Sequence, residues 1–548
     1  MASKSDWKQI AEKTQGALKT KIPEAWRLPE DLVQADQRDV SHVPASCGIL
    51  SDRELSITSC DATAVLQKIH NGDWSAEQVC LAFCKRAAIA QQLVNCLTEI
   101  CFDEALNAAR KLDQSFKATG KLKGPLHGLP ISVKDHVNVA GLRSTLGYCC
   151  LADNVPNEDA VFVKALKSAG AIIFVKTTMP VTGMAIETVS QLWGRTTNGF
   201  NRALVSGGSS GGEGALVGLY GSPLGVGTDI AGSIRVPCAF NGLYGIRPST
   251  RRLSYEGMTS NVSGGRAIAA AIGPMCHSIR DVELICQIVT KATPWEEDPG
   301  VVQKEWTTRP NVPEKLTIGL MKFDGVVMPH PPILRGLEEA AAKLKAAGHE
   351  VVEFKPYQHQ RAWDIAYPLY YATGGKEMQA LLDVTGEPWP PAAAKLSANP
   401  ELRELSAREL YKLFNQQDTY KKEYLKYWND TSKSTSSGRP IDALLCPINP
   451  CASYPHDFLT WWGYAAQWNL LDYPGVIIPV GFVDNARDLQ NASYKPISDT
   501  DKTHHDLYEP SLWHNAPISL QLVGRQFEDE RLLAVGAVVD KVVNGVSG

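Results

Sequence analysis

The sequence lacks an excess of charge of either sign. Its 548 residues include 55 Lys and Arg and 59 Asp and Glu, which give a formal net charge of −4 at pH 7. Proteins that bind nucleic acid or anionic membranes carry a basic surplus, so we predict no nucleic-acid partner. The sequence also lacks an apolar run of the ~18 residues that a membrane-spanning helix needs, and its first residues lack the apolar segment of a signal peptide. These absences predict no membrane span and a cytoplasmic location.

The cysteines lack the spacing of a disulfide framework or a metal site. There are 13 of them, an odd number scattered over a long chain, which is typical of reduced thiols. Cys80 and Cys84 are one helical turn apart, but no His or further Cys pair lies at ligand spacing. We therefore predict buried structural thiols, no bound metal and no cofactor.

The N-terminal part has the pattern of helices. Apolar residues recur at helical spacing through residues 5–28, and Pro23 and Pro29 close that stretch. From residue 56 to residue 116 the pattern predicts successive amphipathic helices, the first of them over ITSCDATAVLQKI. We therefore divide the chain into an N-terminal helical extension, residues 1–55, that packs on the body, and one large domain, residues 56–548.

Beyond residue 125 short apolar segments typical of strands alternate with helical ones. LPISV and AIIFVK are predicted strands, and VFVKALKSAG between them is a predicted helix ended by Gly170. The same order of strand, helix, Gly and strand returns in LTIGLM followed by ILRGLEEAAAKLKAAGHEVVEF. GVIIPV and ISLQLVG are further predicted strands. This alternation predicts an α/β fold with a sheet flanked by helices on both faces.

The stretch rich in Gly and Ser, residues 206–248, is the most informative segment, and GEGALVGLYG within it has the pattern of a buried, close-packed helix. A phosphate-binding loop is disfavoured because Gly212 is followed by Glu213 rather than by Lys and Ser or Thr. Residues 207–211 match the G-x-S-x-G nucleophile elbow of α/β-hydrolases, but the preceding NGFNRALV does not have the pattern of a buried strand. With 12 His in the chain, partners for such a serine remain available, so the elbow stays an alternative.

Taken with GPLHGLPISVKDHVNVAGLRSTLG, the Gly/Ser stretch resembles the amidase signature family of serine hydrolases, with a core motif over residues 124–250. The segments DALLCPINP, PGVIIPV and PISLQLVGR are most similar to the fungal acetamidase or general amidase branch. The resemblance covers nearly the full chain. It implies a large mixed β-sheet flanked by helices, and amide hydrolysis through an acyl group bound to serine, without a metal or cofactor.

The motif match implies a catalytic set of Lys134, Ser209 and Ser233. In the family the lysine is the base, the first serine is held by a cis peptide and relays a proton, and the second serine is the nucleophile. A serine hydroxyl needs a base to attack, and lysine can be that base where burial lowers its pKa. Lys134 follows an apolar strand, as such burial requires. Asp135 and His136 beside it are interpreted as structural.

The same match implies residues that bind the substrate. Gly183 matches a position whose backbone contacts substrate, and Ala231 stands where Gly is commoner in the family, which bears on the size of the pocket. A buried pair of Asp229 and Arg235 would fix the shape of the loop between them. The backbone N–H groups that would face the oxyanion of the tetrahedral intermediate are those of Ile230, Ala231, Gly232 and Ser233.

We predict an amidase that converts small-molecule carboxylic acid amides to acid plus ammonia or amine. Carbamate or ester hydrolysis by the same residues is the alternative, since those carbonyls undergo the same attack. A transamidase subunit is disfavoured by the absent basic surface, and an inactive binding protein by the presence of all three catalytic residues. A homo-oligomer stays open. Aromatic residues that could line the pocket mouth or belong to the core are Trp363, Tyr367, Tyr370, Tyr371, Trp461, Trp462 and Trp468.

Overall fold

The computed structural model of the chain describes residues 6–262, 264–308, 310–391, 393–394 and 402–545. The α-helices are α1 Trp7–Thr20, α2 Val43–Ser46, α3 Asp52–Thr58, α4 Ala62–His70, α5 Ala76–Val94, α6 Phe102–Thr119, α7 Val161–Ser168, α8 Gly211–Gly218, α9 Arg235–Phe240, α10 Ile279–Lys291, α11 Pro331–Ala346, α12 His359–Tyr370, α13 Lys376–Thr385, α14 Ala407–Asp430, α15 Gly463–Leu471, α16 Asp499–Leu507, α17 Pro510–Trp513 and α18 Asp529–Asn544. The strands are β1 Leu97–Ile100, β2 Pro130–Lys134, β3 Ile172–Thr177, β4 Val189–Ser190, β5 Gly194–Arg195, β6 Leu224–Asp229, β7 Tyr244–Arg247, β8 Ala271–Cys276, β9 Thr317–Leu320, β10 Glu350–Glu353, β11 Ala443–Cys446, β12 Gly475–Phe482 and β13 Pro517–Val523.

Eleven of these strands form one mixed sheet in the order β1-β3-β2-β6-β8-β7-β12-β13-β11-β9-β10, and β4 and β5 form a separate pair. β2 runs parallel to both β3 and β6, and β9 runs parallel to both β10 and β11. The remaining neighbours in the large sheet are antiparallel. The sheet therefore has two parallel regions separated by an antiparallel centre.

Helices cover both faces of this sheet. Successive residues of a strand point to opposite faces, and on β12 a side chain added at Gly475 would meet Arg235 of α9, whereas Val476 lies beside Gly536 of α18. The predicted fold class, a large mixed sheet with helices on both faces, is confirmed.

The N-terminal helix α1 packs on the body. It buries Ala11, Thr14 and Leu18, Gln15 Nε2 donates to the carbonyl of Leu192 at 3.0 Å, and Asp6 caps its first turn. The division of the chain at residue 55 stays a prediction. Among the described residues no helix combines the length and the apolar character that a membrane crossing would require.

Two local predictions need correction. The single helix expected over ITSCDATAVLQKI is two helices, α3 and α4, because Asp61 accepts a hydrogen bond from Ala64 N at 2.9 Å and so caps a new helix at Ala62. Strand β1 was not predicted, although all four of its residues are buried, and neither were β6, β7, β8 and β11 of the same sheet. The predicted strands that became β2, β3, β9, β10, β12 and β13 are present, and Cys80 and Cys84 are buried in the core.

Candidate active site

The site is built where two parallel strands end side by side. In β2 and β6 Ser132 pairs with Gly225 and Val133 with Val226, so the last residues of both strands meet at one edge of the sheet. Lys134 is the last residue of β2, and Thr228 and Asp229 end β6. Crevices at the carboxyl ends of parallel strands are the usual ligand sites of α/β proteins.

Lys134 contacts two hydroxyl groups and has no exposed surface. Its Nζ donates to Ser209 Oγ at 2.7 Å and to Thr228 Oγ1 at 2.9 Å. Burial lowers the pKa of Lys134 to about 7, although the nearby carboxylate of Asp229 acts in the opposite direction. A neutral amine is therefore abundant at neutral pH, as a general base requires.

Ser209 follows a non-proline cis peptide bond, Gly208–Ser209, in the loop that precedes α8. The helix itself is buried along its whole length, as the sequence predicts. It sits so close to the sheet that a Cβ at Gly212 would lie 2.4 Å from the backbone nitrogen of Thr178. Glycine at this position thus lets the loop bring Ser209 to Lys134.

Ser233 lies in the loop between β6 and α9, next to the loop of Ser209. Ser210 N donates to the carbonyl of Ser233 at 3.2 Å, so the two loops are joined through their backbones. Ser209 and Ser233 are both buried, at 4% and 7% exposure. Within the described residues, no hydrogen bond joins the hydroxyls of these two serines. The structure thus brings Lys134 and Ser209 into direct contact and places Ser233 in the adjacent loop.

Asp229 and Arg235 form the buried pair that the sequence suggested. Both side chains have 0% exposure, and the guanidinium donates through Nε and Nη2 to the two carboxylate oxygens at 3.0 Å each. Burial alone would raise the pKa of Asp229, but Arg235 and the Asn469 amide outweigh it and hold that pKa below its usual range. Arg235 also donates to Gln521 Oε1 at 2.7 Å, so the pair ties the loop to β13.

The backbone N–H groups of the predicted oxyanion loop differ in whether they already have a hydrogen-bond acceptor. Gly232 N donates to Asp229 Oδ1 at 2.8 Å, in a conformation with φ +118° that favours glycine. Within the described residues no acceptor is found for the N–H groups of Ile230, Ala231 and Ser233. On the other side of the loop, the hydroxyl of Tyr370 donates to the carbonyl of Ile230 at 2.9 Å.

A pocket lies beside the predicted substrate-contact residue Gly183. Both chain neighbours of Gly183 line it, and its volume is about 10 Å³, roughly the room for one water molecule. Its lining residues are Thr182, Met184, Tyr371, Gly375, Met378, Trp389, Ala393 and Leu402.

The aromatic residues that the sequence could not assign to the pocket mouth or the core lie at the pocket, against the oxyanion loop and in the core. Tyr371 lines the pocket and Tyr370 binds the oxyanion loop. Trp468 is fully buried among other core aromatics, and Trp461 donates to Asp324 Oδ2 at 2.7 Å. Trp363 packs at an angle against Trp461 and Trp462, and Tyr367 packs against Trp363.

Sequence reasoning missed Thr228 and set His136 aside. Thr228 adjoins Asp229 in the motif, and the pairing of β2 with β6 places it beside Lys134. Only that strand pairing, which no single segment reveals, could have identified it. Asn469 and Gln521, which complete the surroundings of Arg235, lie more than 200 residues further along the chain.

The geometry does not favour the nucleophile-elbow alternative. That motif needs a strand directly before the serine, whereas the described residues directly before Ser209 make two isolated bridges, Thr197 with Val205 and Leu204 with Pro455. The group within hydrogen-bond distance of Ser209 is Lys134 rather than a histidine.

Comparison with known proteins gives consistent matches over nearly the whole chain. The family model described as Amidase matches residues 78–533. An amidase of Gibberella zeae is 46% identical over 545 residues, which cover 98% of this chain and 100% of that protein. An acetamidase of Emericella nidulans is 40% identical over 547 residues, with coverage of 98% and 99%. A solved structure titled fatty acid amide hydrolase superposes with a TM-score of 0.93 at 33% identity, covering 98% of this chain and 95% of that one.

These matches cover the motifs and the sheet that carry Lys134, Ser209 and Ser233. The chain therefore belongs to the amidase signature family and is an amidase.

Proposed function

We propose that this amidase hydrolyses carboxylic acid amides through an acyl group on Ser233, with Ser209 as proton relay and Lys134 as base. The observation that carries the proposal is the 2.7 Å hydrogen bond between Ser209 and a fully buried Lys134 whose pKa burial lowers to about 7. A serine hydroxyl beside an uncharged amine is the arrangement that activates a serine without histidine.

The reaction begins with a double proton transfer. Neutral Lys134 takes the proton of Ser209, and Ser209 takes the proton of Ser233 as the Ser233 oxygen bonds to the amide carbon. The resulting oxyanion faces the N–H groups of Ile230, Ala231 and Ser233, for which the described part of the chain offers no acceptor. Gly232 shapes this loop through its bond to Asp229.

The second half of the reaction returns the proton. Ser209 donates its proton to the leaving nitrogen, the carbon–nitrogen bond breaks, and Lys134 reprotonates Ser209. Water then attacks the acyl–serine ester by the same relay in reverse and releases the acid. An amide needs this protonation more than an ester does, because an amine anion is a poor leaving group.

The substrate class is inferred from the names of the relatives. The similar proteins of Emericella nidulans and Aspergillus oryzae are named acetamidase, which supports small linear amides as substrates. A cytoplasmic location, a homo-oligomer and the separate N-terminal extension stay predictions.

Covalent labelling tests the nucleophile. A fluorophosphonate should add one phosphonyl group to the wild-type protein, seen by intact-mass spectrometry and mapped to Ser233, and Ser233→Ala should abolish it. Lys134→Ala should slow labelling strongly. Ser222→Ala is the matched control, because this buried serine donates to a backbone carbonyl away from the site and its loss should leave the adduct. An adduct on Ser209 instead would refute the assignment and revive the elbow.

Substrate comparison tests the bond that is cleaved. An amide, a carbamate and an ester with one common acyl group should all be assayed on the same preparation, and we expect amide turnover. Turnover of the carbamate or ester alone would support the alternative activity on the same residues.

A further inference from the structure

The hydroxyl of Thr228 lies between Lys134 and a second basic side chain, His136. Thr228 Oγ1 is 2.9 Å from Lys134 Nζ and 2.9 Å from His136 Nε2. A threonine hydroxyl has one proton to donate and two lone pairs that accept, so only one of these two neighbours can receive its proton.

The environment of His136 decides which neighbour that is. His136 Nδ1 lies 3.3 Å from the carbonyl oxygen of Thr259, and a carbonyl only accepts, so Nδ1 carries a proton. Burial, followed by the charge of Lys134, lowers the pKa of His136 well below 6.5, so the ring is neutral and Nε2 is an acceptor. The proton of Thr228 therefore points at His136.

We propose that His136 is a positioning residue that draws the Thr228 proton away from Lys134 and so reserves the amine lone pair of Lys134 for the proton of Ser209. This inference rests on the proposed function. A neutral amine has two N–H donors and one lone pair. With Thr228 turned toward His136, Thr228 can only accept from Lys134, and the lone pair faces Ser209. Without an acceptor at position 136, the Thr228 hydroxyl can turn and donate to that lone pair in competition with Ser209.

Five proteins test this role: wild type, His136→Leu, His136→Gln, Thr228→Val and the double variant His136→Leu/Thr228→Val. His136→Leu should lower kcat by about tenfold, the scale of a misdirected catalytic group, and leave KM unchanged. His136→Gln should retain most of the wild-type kcat, because its side-chain amide, like the neutral imidazole, offers one donor to Thr259 and one acceptor to Thr228. On the Thr228→Val background His136→Leu should have no further effect on kcat, since no hydroxyl is left to orient.

The opposite pattern would overturn the proposal. Losses that multiply in the double variant, or equal losses for Leu and Gln, would mean that His136 acts through packing alone. Thermal unfolding of each variant confirms that a folded protein is assayed. If Thr228→Val does not fold, the comparison of kcat between His136→Gln and His136→Leu decides the question. Fluorophosphonate labelling of wild-type Ser233 is measured in parallel: labelling without the predicted His136 pattern sinks this inference only, whereas absent labelling sinks the proposed function.

Discussion

Two buried lysines on neighbouring parallel strands have opposite surroundings in this enzyme. Lys134 ends β2 and pairs with Thr177, while Lys176 of β3 pairs with Val133. Because successive strand residues alternate between faces, the two side chains point to opposite sides of the sheet. Both have 0% exposure, so burial alone does not distinguish a base from a structural lysine.

The difference lies in the acceptors. Lys176 Nζ donates to the carbonyl of Arg143 at 2.6 Å and to Ser144 Oγ at 2.7 Å. Burial lowers its pKa to about 8, and the charges of Asp135 and Glu99 act in the opposite direction. A carbonyl and carboxylates only accept, so they favour an ammonium. Lys134 faces two hydroxyls, which can donate to a neutral amine as well as accept from a charged one. A buried lysine can act as a base when its hydrogen-bond partners can both donate and accept.

The strongest way to break this comparison is to remove each amine in turn. Lys134→Met should lower kcat/KM by about 10²–10⁴-fold, the contribution of a general base. Lys176→Met should leave kcat/KM per folded molecule close to the wild-type value, since its partners do not include a catalytic hydroxyl. Steady-state kinetics on the amide substrate, normalised to folded protein, measures both. Comparable losses in the two variants would contradict the distinction.

The two variants should differ in stability in the reverse direction. Lys176→Met leaves the carbonyl of Arg143 without its buried donor and should lower the free energy of unfolding by about 1–3 kcal/mol. Lys134→Met should lower it less, because the hydroxyls left behind can turn to other partners and because a buried lysine with a pKa of about 7 costs more stability than one with a pKa of about 8. That cost is full below pH about 7 and is relieved as the pH rises toward the ordinary value of 10.5. Urea unfolding at pH 7 compares the two, and a larger loss for Lys134→Met would refute the reasoning.

The prediction from sequence succeeded where a property is local or belongs to a motif. The strand ending at Lys134, the buried helix after Ser209 and the pair of Asp229 with Arg235 are each contained in one short segment. Thr228 could not be assigned, because its importance comes from the pairing of β2 with β6, whose strands are about 90 residues apart in the chain. Segments that are separate in sequence meet only through the sheet.

Edge strand β1 and the helix boundary at Asp61 escaped prediction for different reasons. A strand of four residues carries too little alternation to be recognised. At residue 61 the apolar pattern continues through the break, but the Asp61 side chain caps a new helix at Ala62 and also pairs with Arg280. This local capping interaction overrides the periodicity.

The pH dependence of activity should sharpen the comparison. Only neutral Lys134 can accept a proton, so kcat/KM should fall as the pH drops below about 7 and approach a tenfold loss per pH unit. Above that pH it should reach a plateau. Lys176→Met should leave the midpoint in place, because the two amines face opposite sides of the sheet. A midpoint that moves with Lys176→Met, or a flat profile through pH 7, would show that another group titrates.

The smallest expected effect concerns the carboxyl on the Lys134 face. Glu213 accepts hydrogen bonds from Ser132 at 2.6 Å and Thr177 at 2.9 Å. Burial raises its pKa to about 8, so at pH 7 it is mostly the neutral acid. Glu213→Gln should therefore leave both kcat/KM at pH 7 and the midpoint of the pH profile unchanged. The glutamine amide can donate to Ser132, whose hydroxyl can in turn donate to the carbonyl of Leu224, 3.4 Å away.

The matched variant on the other face is Asp135→Asn. Asp135 Oδ2 accepts from the backbone nitrogens of Thr145 at 2.9 Å and Leu146 at 2.6 Å, and Oδ1 accepts from Thr145 Oγ1 at 3.1 Å. The Thr145 hydroxyl already accepts from Gly147 N and Trp193 Nε1, so an amide nitrogen cannot replace Oδ1 there. Asp135→Asn should lower the midpoint of thermal unfolding, whereas Glu213→Gln should not. If Glu213→Gln instead moved the pH midpoint down by a full unit, about 1.4 kcal/mol, Glu213 would be an anion that holds Lys134 charged. The two lysines would then differ in the strength of their ion pairs, and not in whether their hydrogen-bond partners can both donate and accept.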